Sequence, residues 1–113
     1  MVKGYYLPRK KNRANLYRDL IRICCYPNCG SGLIECHHLE PLDDGGEDTF
    51  ENYICLCKKH HYTGKKHSNW EETIIELRTY KFYAELTILG FTSDIPDKDF
   101  LIKVAEYKAN LKK

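Results

Sequence analysis

The sequence has no long apolar run. Its 113 residues contain no stretch that approaches the roughly 18 uninterrupted apolar residues of a membrane span. The first residues, MVKGYYLPRKKNR, lack the apolar segment of a secretory signal. These two absences predict a cytoplasmic protein with no membrane partner. At 113 residues the chain has the length of one domain, so we expect a single domain overall. No internal repeat or low-complexity segment is visible.

The chain has little net charge, +2, but the charge is unevenly placed. Residues 1–23 carry seven Lys or Arg against one Asp, whereas residues 35–51 hold seven acidic residues and no Lys or Arg. A basic arm beside an acidic loop suits a nucleic-acid partner. Taken alone, the arm would fit a solvated polar surface better than a nucleic-acid contact.

Six cysteines in a chain without an export signal indicate metal or redox chemistry before disulfides, because the cytosol keeps thiols reduced. Cys24 and Cys29 lie in CCYPNC, where Pro27 and Asn28 favour a turn. Cys57 and His60 form a second pair about 30 residues later. Two turn-borne pairs predict a closed, tetrahedral, structural zinc site, which would supply folding energy that a small core lacks.

One zinc ligand has an alternative. Cys25 also lies at a suitable spacing from Cys29, so it could replace Cys24. Free cysteines are often small buried hydrophobic residues, and this interpretation fits Cys36 and Cys55 better than it fits the two pairs.

The apolar pattern predicts helices on either side of a hairpin. Residues 1–13 have little periodicity and are expected to be a loose arm, followed by a short helix over residues 15–23 with Leu16, Leu20 and Ile23 on one face. LIECHHL and NYICLC predict two strands, joined by PLDDGGEDTFE, in which Gly45 and Gly46 can adopt positive φ. Asp48 and Glu51 have capping-box spacing, which predicts a helical turn before Asn52.

The second half of the chain is expected to be helical. The polar run KKHHYTGKKH should open a helix that Gly64 ends or kinks. A further helix is predicted from residue 70 to about residue 89, ended by Gly90, and Pro96 should open a last amphipathic helix. The apolar stripes of these two helices are Trp70, Ile74, Leu77, Tyr80 or Lys81, Ala84 and Ile88 in the first, and Phe100, Leu101, Val104, Tyr107 and Leu111 in the second.

Two adjacent histidines lie on the first predicted strand. Side chains alternate along a strand, so His37 and His38 should point to opposite faces unless a bulge splays them. One ring can then bind a metal while the other reaches an attacking water. His61, at the start of the following helix, is the natural second metal ligand. A metal that neutralises phosphoryl charge and a base with a pKa near neutral are what phosphodiester hydrolysis requires.

These residues carry a resemblance to a known family. The stretch ECHHLEPLDDGGEDTFENYICLCKKHH, preceded by CCYPNC, resembles the zinc-bearing type of the HNH (ββα-metal) endonucleases over residues 24 to about 67. The resemblance implies that His37 and His61 bind a catalytic Mg²⁺ or Mn²⁺ and that His38 is the general base. Asn52 would tie the loop with its side-chain amide.

The resemblance departs from the family at one position. Many members have a further histidine four residues after the position of His61, where this chain has Lys65. His67 could serve as the third ligand only if the helix breaks at Gly64, and water molecules could otherwise complete the coordination of a hard cation.

The expected fold is α+β, a small ββα-metal (HNH) core with a structural zinc site, flanked by an N-terminal helix and C-terminal helices. The arm and first helix would span residues 1–23, the nuclease core residues 24–67 and the helical extension residues 68–113. Expected DNA contacts are Lys3, Arg9, Lys10, Lys11, Arg13, Lys58, Lys59, Lys65 and Lys66.

The expected function is metal-dependent hydrolysis of DNA. A single active centre would nick one strand, and double-strand cleavage would require a homodimer or a second visit, so both monomer and homodimer stay open. The alternative is a non-catalytic, zinc-stabilised module with a degenerate HNH fold that binds DNA or a protein. Such a module has no use for His37, His38 and Asn52 together.

Overall fold

A computed structural model of the chain describes residues 10–60 and 70–112. Two strands and three long helices are ordered along the chain as α1 (Lys10–Ile21), β1 (Ile34–His38), β2 (Tyr53–Cys57), α2 (Trp70–Ile88) and α3 (Asp97–Leu111). Two 3₁₀ turns, Leu42–Asp44 and Phe50–Asn52, lie in the loop between the strands, and residues 58–60 are helical. The expected α+β class is confirmed. Within the described residues, no helix is both long and apolar enough to cross a membrane.

The two strands form the expected long-looped antiparallel hairpin. Their register runs from Ile34 opposite Cys57 to His38 opposite Tyr53, one residue against one, with no bulge. The rings of His37 and His38 therefore leave opposite faces of β1. Every residue of β2 is buried, whereas β1 is only partly covered.

The loop turns sharply at two glycines that have different roles. Gly45 has a φ of 92°, the left-handed region that the sequence predicted for the pair. Gly46 is needed for space instead, because a Cβ there would overlap the backbone carbonyl of Glu40. The loop therefore brings the backbone of Glu40 close to Gly46 at the end of β1.

Helix α1 begins earlier than its apolar residues indicated. It starts at Lys10 and ends at Ile21, so the expectation of a loose arm up to residue 13 is wrong for residues 10–13, and residues 1–9 lie outside the described part of the chain. Tyr17 and Ile21 are buried, whereas Ile23 lies beyond the helix and is 38% exposed. Ion pairs from Arg13 to Asp48 and Asp97, both 3.2 Å, join the polar first turns to the rest of the fold.

The two C-terminal helices follow their predicted stripes at most of the positions whose side chains are described, and the side chain of Trp70 lies outside these. At the ambiguous position of α2, Lys81 is fully buried and Tyr80 is only partly so. Lys81 lies within hydrogen-bonding reach of Glu85 and Ser93, which are also fully buried. In α3, Phe100 and Val104 are buried, but Leu111 is 65% exposed because the helix extends past the core. Gly90, with φ of 88°, ends α2 as expected.

One hydrophobic cluster joins these elements. It takes Tyr17 from α1, Ile54 and Cys55 from β2, Leu77 from α2 and Phe100 from α3 among its members. Tyr53 packs between the ring of Tyr17, 5.9 Å away, and that of Phe50, 5.6 Å away. Helix α1 therefore covers the face of the hairpin that carries Tyr53 and His38.

Candidate metal centre and histidine site

Three cysteines and a histidine from two distant segments meet in space. Cys24 and Cys29 come from the turn after α1, in which Asn28 adopts a φ of 63°, and Cys57 and His60 come from the end of β2 and the helical residues that follow. Their ligand atoms all lie within 4.8 Å of one another. Neighbouring atoms are closer: Cys24 Sγ to His60 Nδ1 is 3.5 Å, Cys29 Sγ to Cys57 Sγ 3.7 Å and Cys57 Sγ to His60 Nδ1 3.2 Å.

These separations suit a tetrahedral zinc ion. With Zn–S near 2.3 Å and Zn–N near 2.05 Å, a tetrahedron places two sulfurs ~3.8 Å apart and a sulfur and a nitrogen ~3.6 Å apart. Three soft thiols and an imidazole are also the donors that zinc prefers. The cluster can therefore hold a metal ion such as zinc.

The protein supports the cluster on several sides. The ring of Tyr26 stacks on that of His60, with ring centroids 4.1 Å apart and an angle of 1° between the ring planes. Burial raises the pKa of the Cys24 thiol to about 11. Burial also opposes ionisation of Cys57, but hydrogen bonds from the backbone N–H of His60 and the neighbouring thiols outweigh it, so the pKa of Cys57 lies below its ordinary value.

Cys25, the alternative ligand, lies elsewhere. Its backbone N–H donates to the carbonyl of Cys55 at 3.0 Å, and burial raises the pKa of its thiol to about 12. Among the two adjacent cysteines, the cluster takes Cys24. Cys36 lies directly opposite Cys55 in the sheet, away from the cluster.

Asn52 ties the loop between the strands. Its side chain is buried, its Oδ1 accepts from the backbone N–H of Glu40 at 2.9 Å, and its Nδ2 donates to the carbonyls of Glu40 and Glu47 at 2.9 and 2.7 Å. The backbone carbonyl of Asn52 also accepts from Leu39 N–H at 2.7 Å. The amide thus joins the residues after β1 to those before β2.

His38 lies at the end of β1, beside that loop. Its ring is half-buried, with 25% of the side chain exposed, and Nε2 lies 2.9 Å from Oδ1 of Asp48. The ring meets Tyr53 edge to face with a centroid separation of 5.4 Å. A histidine in this position keeps access to solvent while one ring nitrogen is engaged by the protein.

Asp48 is itself held on both carboxylate oxygens. Oδ1 also accepts from the hydroxyl of Tyr53 at 2.8 Å, and Oδ2 accepts from Arg13 at 3.2 Å. Burial acts to raise the pKa of Asp48, but the hydrogen bonds from His38 and Tyr53 and the charge of Arg13 outweigh it, so its pKa lies below the ordinary value of 3.8. Asp48 is therefore a carboxylate at neutral pH.

No protein-family model matches this chain, and no curated protein does.

The capping box predicted for Asp48 and Glu51 does not form. A helical turn does precede Tyr53, as the 3₁₀ turn Phe50–Asn52, but its N-cap is Thr49 without a side-chain cap, and the N–H of Phe50 donates instead to Asp97. Asp48 contacts His38, Tyr53 and Arg13. Its role was missed because local spacing assigned it to the backbone of its own loop, whereas its partners are up to 35 residues away.

The residues expected to bind the catalytic cation are only partly described. His37 is half-buried on the face of β1 opposite His38, paired in register with Ile54. His61 and His67 lie outside the described residues, as do Lys65 and Lys66. Within the described part of the chain, the cysteine–histidine cluster is the group of three or more His, Cys, Asp or Glu ligands that could hold a metal.

The expected DNA contacts divide in the same way. Lys58 and Lys59 are exposed beside the metal cluster, and the side chains of Lys3, Arg9, Lys10 and Lys11 lie outside the described set. Arg13 was expected to contact DNA. Its guanidinium instead bridges Asp48 and Asp97, and only 17% of the side chain is exposed. Arg18 and Arg22 were not among the expected DNA contacts. They line an open surface cleft with Lys58.

Proposed function

We propose that this protein is a zinc-stabilised, metal-dependent endonuclease of the HNH type that hydrolyses phosphodiester bonds in DNA, with His38 as the general base. One observation carries the proposal: His38 is partly exposed at the end of the hairpin, its Nε2 is engaged by Asp48, and Asn52 ties the loop beside it. His37 leaves the opposite face of the same strand. A base and a candidate metal ligand are thereby adjacent in sequence yet separated in space.

The first part of the proposal concerns the cysteine–histidine cluster. We propose that Cys24, Cys29, Cys57 and His60 bind one structural zinc ion. Four protein ligands close the coordination sphere, which is typical of structural rather than catalytic zinc. The ion would link the turn after α1 to the end of β2, where Cys29 and Cys57 are separated by 28 positions in the sequence. Its binding free energy would add to the stability of a 113-residue fold with a modest core.

The second part concerns proton transfer. A water that attacks phosphorus must lose a proton, and a neutral imidazole is well matched to accept it near pH 7. General base catalysis contributes about 10²–10⁴ in rate, or roughly 3–5 kcal/mol of barrier. Because a partly exposed ring can meet both water and substrate, His38 fits this role better than the zinc ligand His60 does.

The third part concerns charge. The resemblance of the sequence to HNH nucleases assigns His37 and His61 as ligands of a divalent cation, with His67 as a further candidate. Mg²⁺ or Mn²⁺ bound there would supply neutralisation of the charge that builds on the phosphoryl and leaving oxygens. His37 contributes a ring nitrogen on its own face of β1, apart from the contact that holds His38.

The substrate is proposed from the distribution of cations. Lys58 and Lys59 are exposed directly after β2, and Arg18 and Arg22 line the neighbouring cleft with Lys58. Asp19 and Glu35 line the same cleft, so the cations there are partly balanced. Such side chains would contact phosphates without reading base sequence.

A supercoiled-plasmid assay tests the proposal. The full-length, zinc-loaded protein should convert supercoiled to nicked DNA when Mg²⁺ or Mn²⁺ is added, and EDTA added with the DNA should stop the reaction. If the protein binds the plasmid but cuts with neither cation, the non-catalytic zinc module is favoured. If it neither binds nor cuts DNA, the proposed substrate is wrong.

The structure also decides which variant should accompany this assay. The His38 ring contacts Asp48 and Tyr53. His38→Ala would remove the donor to Asp48, so a loss of activity could reflect a loss of structure. His38→Gln keeps an N–H group able to reach Asp48 and removes only the base.

A further inference from the structure

We propose that Asp48 is the positioning residue for the general base: it fixes the His38 ring with Nε2 protonated, which leaves Nδ1 as the nitrogen that takes the proton from water. This inference depends on the proposed function of His38. It goes beyond it by naming the reacting ring nitrogen, by giving Asp48 a role, and by making Arg13 part of the same arrangement.

The hydrogen bond between the two side chains determines the tautomer. A carboxylate only accepts hydrogen bonds, so the ring nitrogen 2.9 Å from Asp48 Oδ1 must be the donor. In a neutral imidazole one nitrogen carries the proton and the other carries a lone pair. With Nε2 protonated, the lone pair is on Nδ1. After proton transfer the ring becomes a cation, and the carboxylate beside it stabilises that charge.

Asp48 can act in this way because its own orientation is fixed. Arg13 donates to Oδ2 and Tyr53 donates to Oδ1, so neither carboxylate oxygen is free to rotate towards another partner. Arg13 is held in turn by Asp97 at the start of α3, 3.2 Å away. Residues from α1, the loop, β2 and α3 therefore all contribute to the position of one imidazole ring.

The contact with Arg13 also predicts how the side chain would be oriented in the variant Asp48→Asn. In Asp48→Asn, the guanidinium of Arg13 can only donate, so it should hold the amide oxygen on its own side. The amide nitrogen then faces His38 and donates to Nε2. The neutral ring must carry its proton on Nδ1, and the lone pair needed for catalysis is lost although the shape of the site is kept.

The experiment compares wild-type protein, Asp48→Asn and a matched control, Asp44→Asn. Asp44 is exposed in the same loop, so its substitution removes the same charge without touching His38. Single-turnover nicking should fall at least about 100-fold in Asp48→Asn, the lower end of what a general base contributes. The concentration of protein that gives half-maximal rate should change by less than about threefold, and Asp44→Asn should match the wild type.

A spectroscopic measurement keeps the inference testable without activity. Long-range ¹H–¹⁵N correlation spectra of the wild type, at a pH where the ring is neutral, should show His38 protonated on Nε2, and Asp48→Asn should show the proton on Nδ1. A wild-type spectrum with the proton on Nδ1 would overturn the inference, even if Asp48→Asn failed to fold.

The activity outcomes separate this inference from the proposed function. If His38→Gln is inactive while Asp48→Asn nicks at the wild-type rate, the base works without Asp48, and only the inference fails. If His38→Gln nicks at the wild-type rate, His38 is not the base, and the proposed mechanism and this inference fail together.

Discussion

The side chain of Asn52 makes three hydrogen bonds to the backbone of the loop between the strands. Its amide meets three backbone groups of Glu40 and Glu47, and two of these are carbonyls that face Nδ2. Asn52→Asp has nearly the same shape but points a carboxylate oxygen at both carbonyls. Because buried polar groups that lose a partner cost about 1–3 kcal/mol each, we expect a loss of about 2–4 kcal/mol in the free energy of unfolding.

Chemical denaturation of wild-type protein and Asn52→Asp measures this loss. Asn15→Asp is the matched control, because Asn15 is exposed on α1 and the substitution adds the same charge. It should change stability by less than about 0.5 kcal/mol. Equal stability of the two variants would mean that the amide does not hold the loop.

Asp48 makes a prediction about acid. Its folded-state pKa lies below the ordinary value of 3.8, so the folded protein binds fewer protons there than the unfolded chain does. Its stabilising contribution is fully present above the unfolded pKa and is lost as the pH falls through the folded pKa. Stability measured between neutral pH and pH 3 should therefore decrease less in Asp48→Asn than in the wild type, and Asp44→Asn should follow the wild type.

At the scale of single residues, the sequence predicted the cysteine–histidine cluster but not the contacts of Asp48 and Arg13. Cys24, Cys29, Cys57 and His60 were chosen from local spacing, and the structure brings these four together, because a turn and a strand end impose short-range geometry. Asp48 and Arg13 were assigned other roles. Their ion pair joins residues 35 apart, and no local pattern distinguishes such a pair from surface charges.

The helices and the hairpin show the same limit at the scale of elements. Periodicity predicted α2 and α3, because each buries one apolar stripe, α2 ends before Gly90 and α3 begins after Pro96. The two strands were predicted from short apolar runs on either side of a turn-rich segment. Periodicity missed the first turns of α1, where contacts come from charges. It also left Tyr80 or Lys81 undecided, because burial of a lysine depends on partners elsewhere in the chain.

The buried ion pair of Lys81 and Glu85 in α2 predicts that removal of one partner costs more stability than removal of the other. Glu85 accepts from Lys81 at 2.6 Å, from the Tyr17 hydroxyl at 2.6 Å and from the N–H of Ser93 at 2.7 Å. Burial lowers the pKa of Lys81 despite the opposing charge of Glu85. Lys81→Met leaves Glu85 with its other donors, whereas Glu85→Leu leaves the Lys81 ammonium buried without its carboxylate.

We therefore expect Glu85→Leu to destabilise the protein by about 3–5 kcal/mol and Lys81→Met to cost clearly less. Thermal and chemical denaturation of both single variants and the double variant form a complete cycle. The double variant should be more stable than the sum of the two losses implies. Additive losses, or a larger loss from Lys81→Met, would contradict this description of the network.

At the scale of the whole molecule, the cysteine–histidine cluster brings the turn after α1 next to the end of β2. Purified protein should contain about one tightly bound zinc per chain, as a closed four-ligand site implies. Cys29→Ser should lose zinc and lower the melting temperature more than Cys36→Ser does. Both variants replace sulfur with oxygen, but Cys36 lies across the sheet from Cys55, away from the cluster.

Elemental analysis and thermal melts with and without a chelator measure these effects. Chelation should bring the wild-type melting temperature towards that of Cys29→Ser and should affect Cys29→Ser little. Folded wild-type protein that contains no zinc, and that melts at the same temperature with a chelator, would exclude a structural metal here.

The most direct test of the central claim is the single-turnover rate of plasmid nicking by wild-type protein, His38→Gln and Glu106→Gln, prepared by one purification protocol. Glu106 is exposed on α3, so its variant controls for the effects of substitution and purification without altering the site. Mg²⁺-dependent nicking should fall about 10²–10⁴-fold in His38→Gln, with zinc content and melting temperature unchanged, and should persist in Glu106→Gln. Equal rates for all three proteins would contradict His38 as the general base.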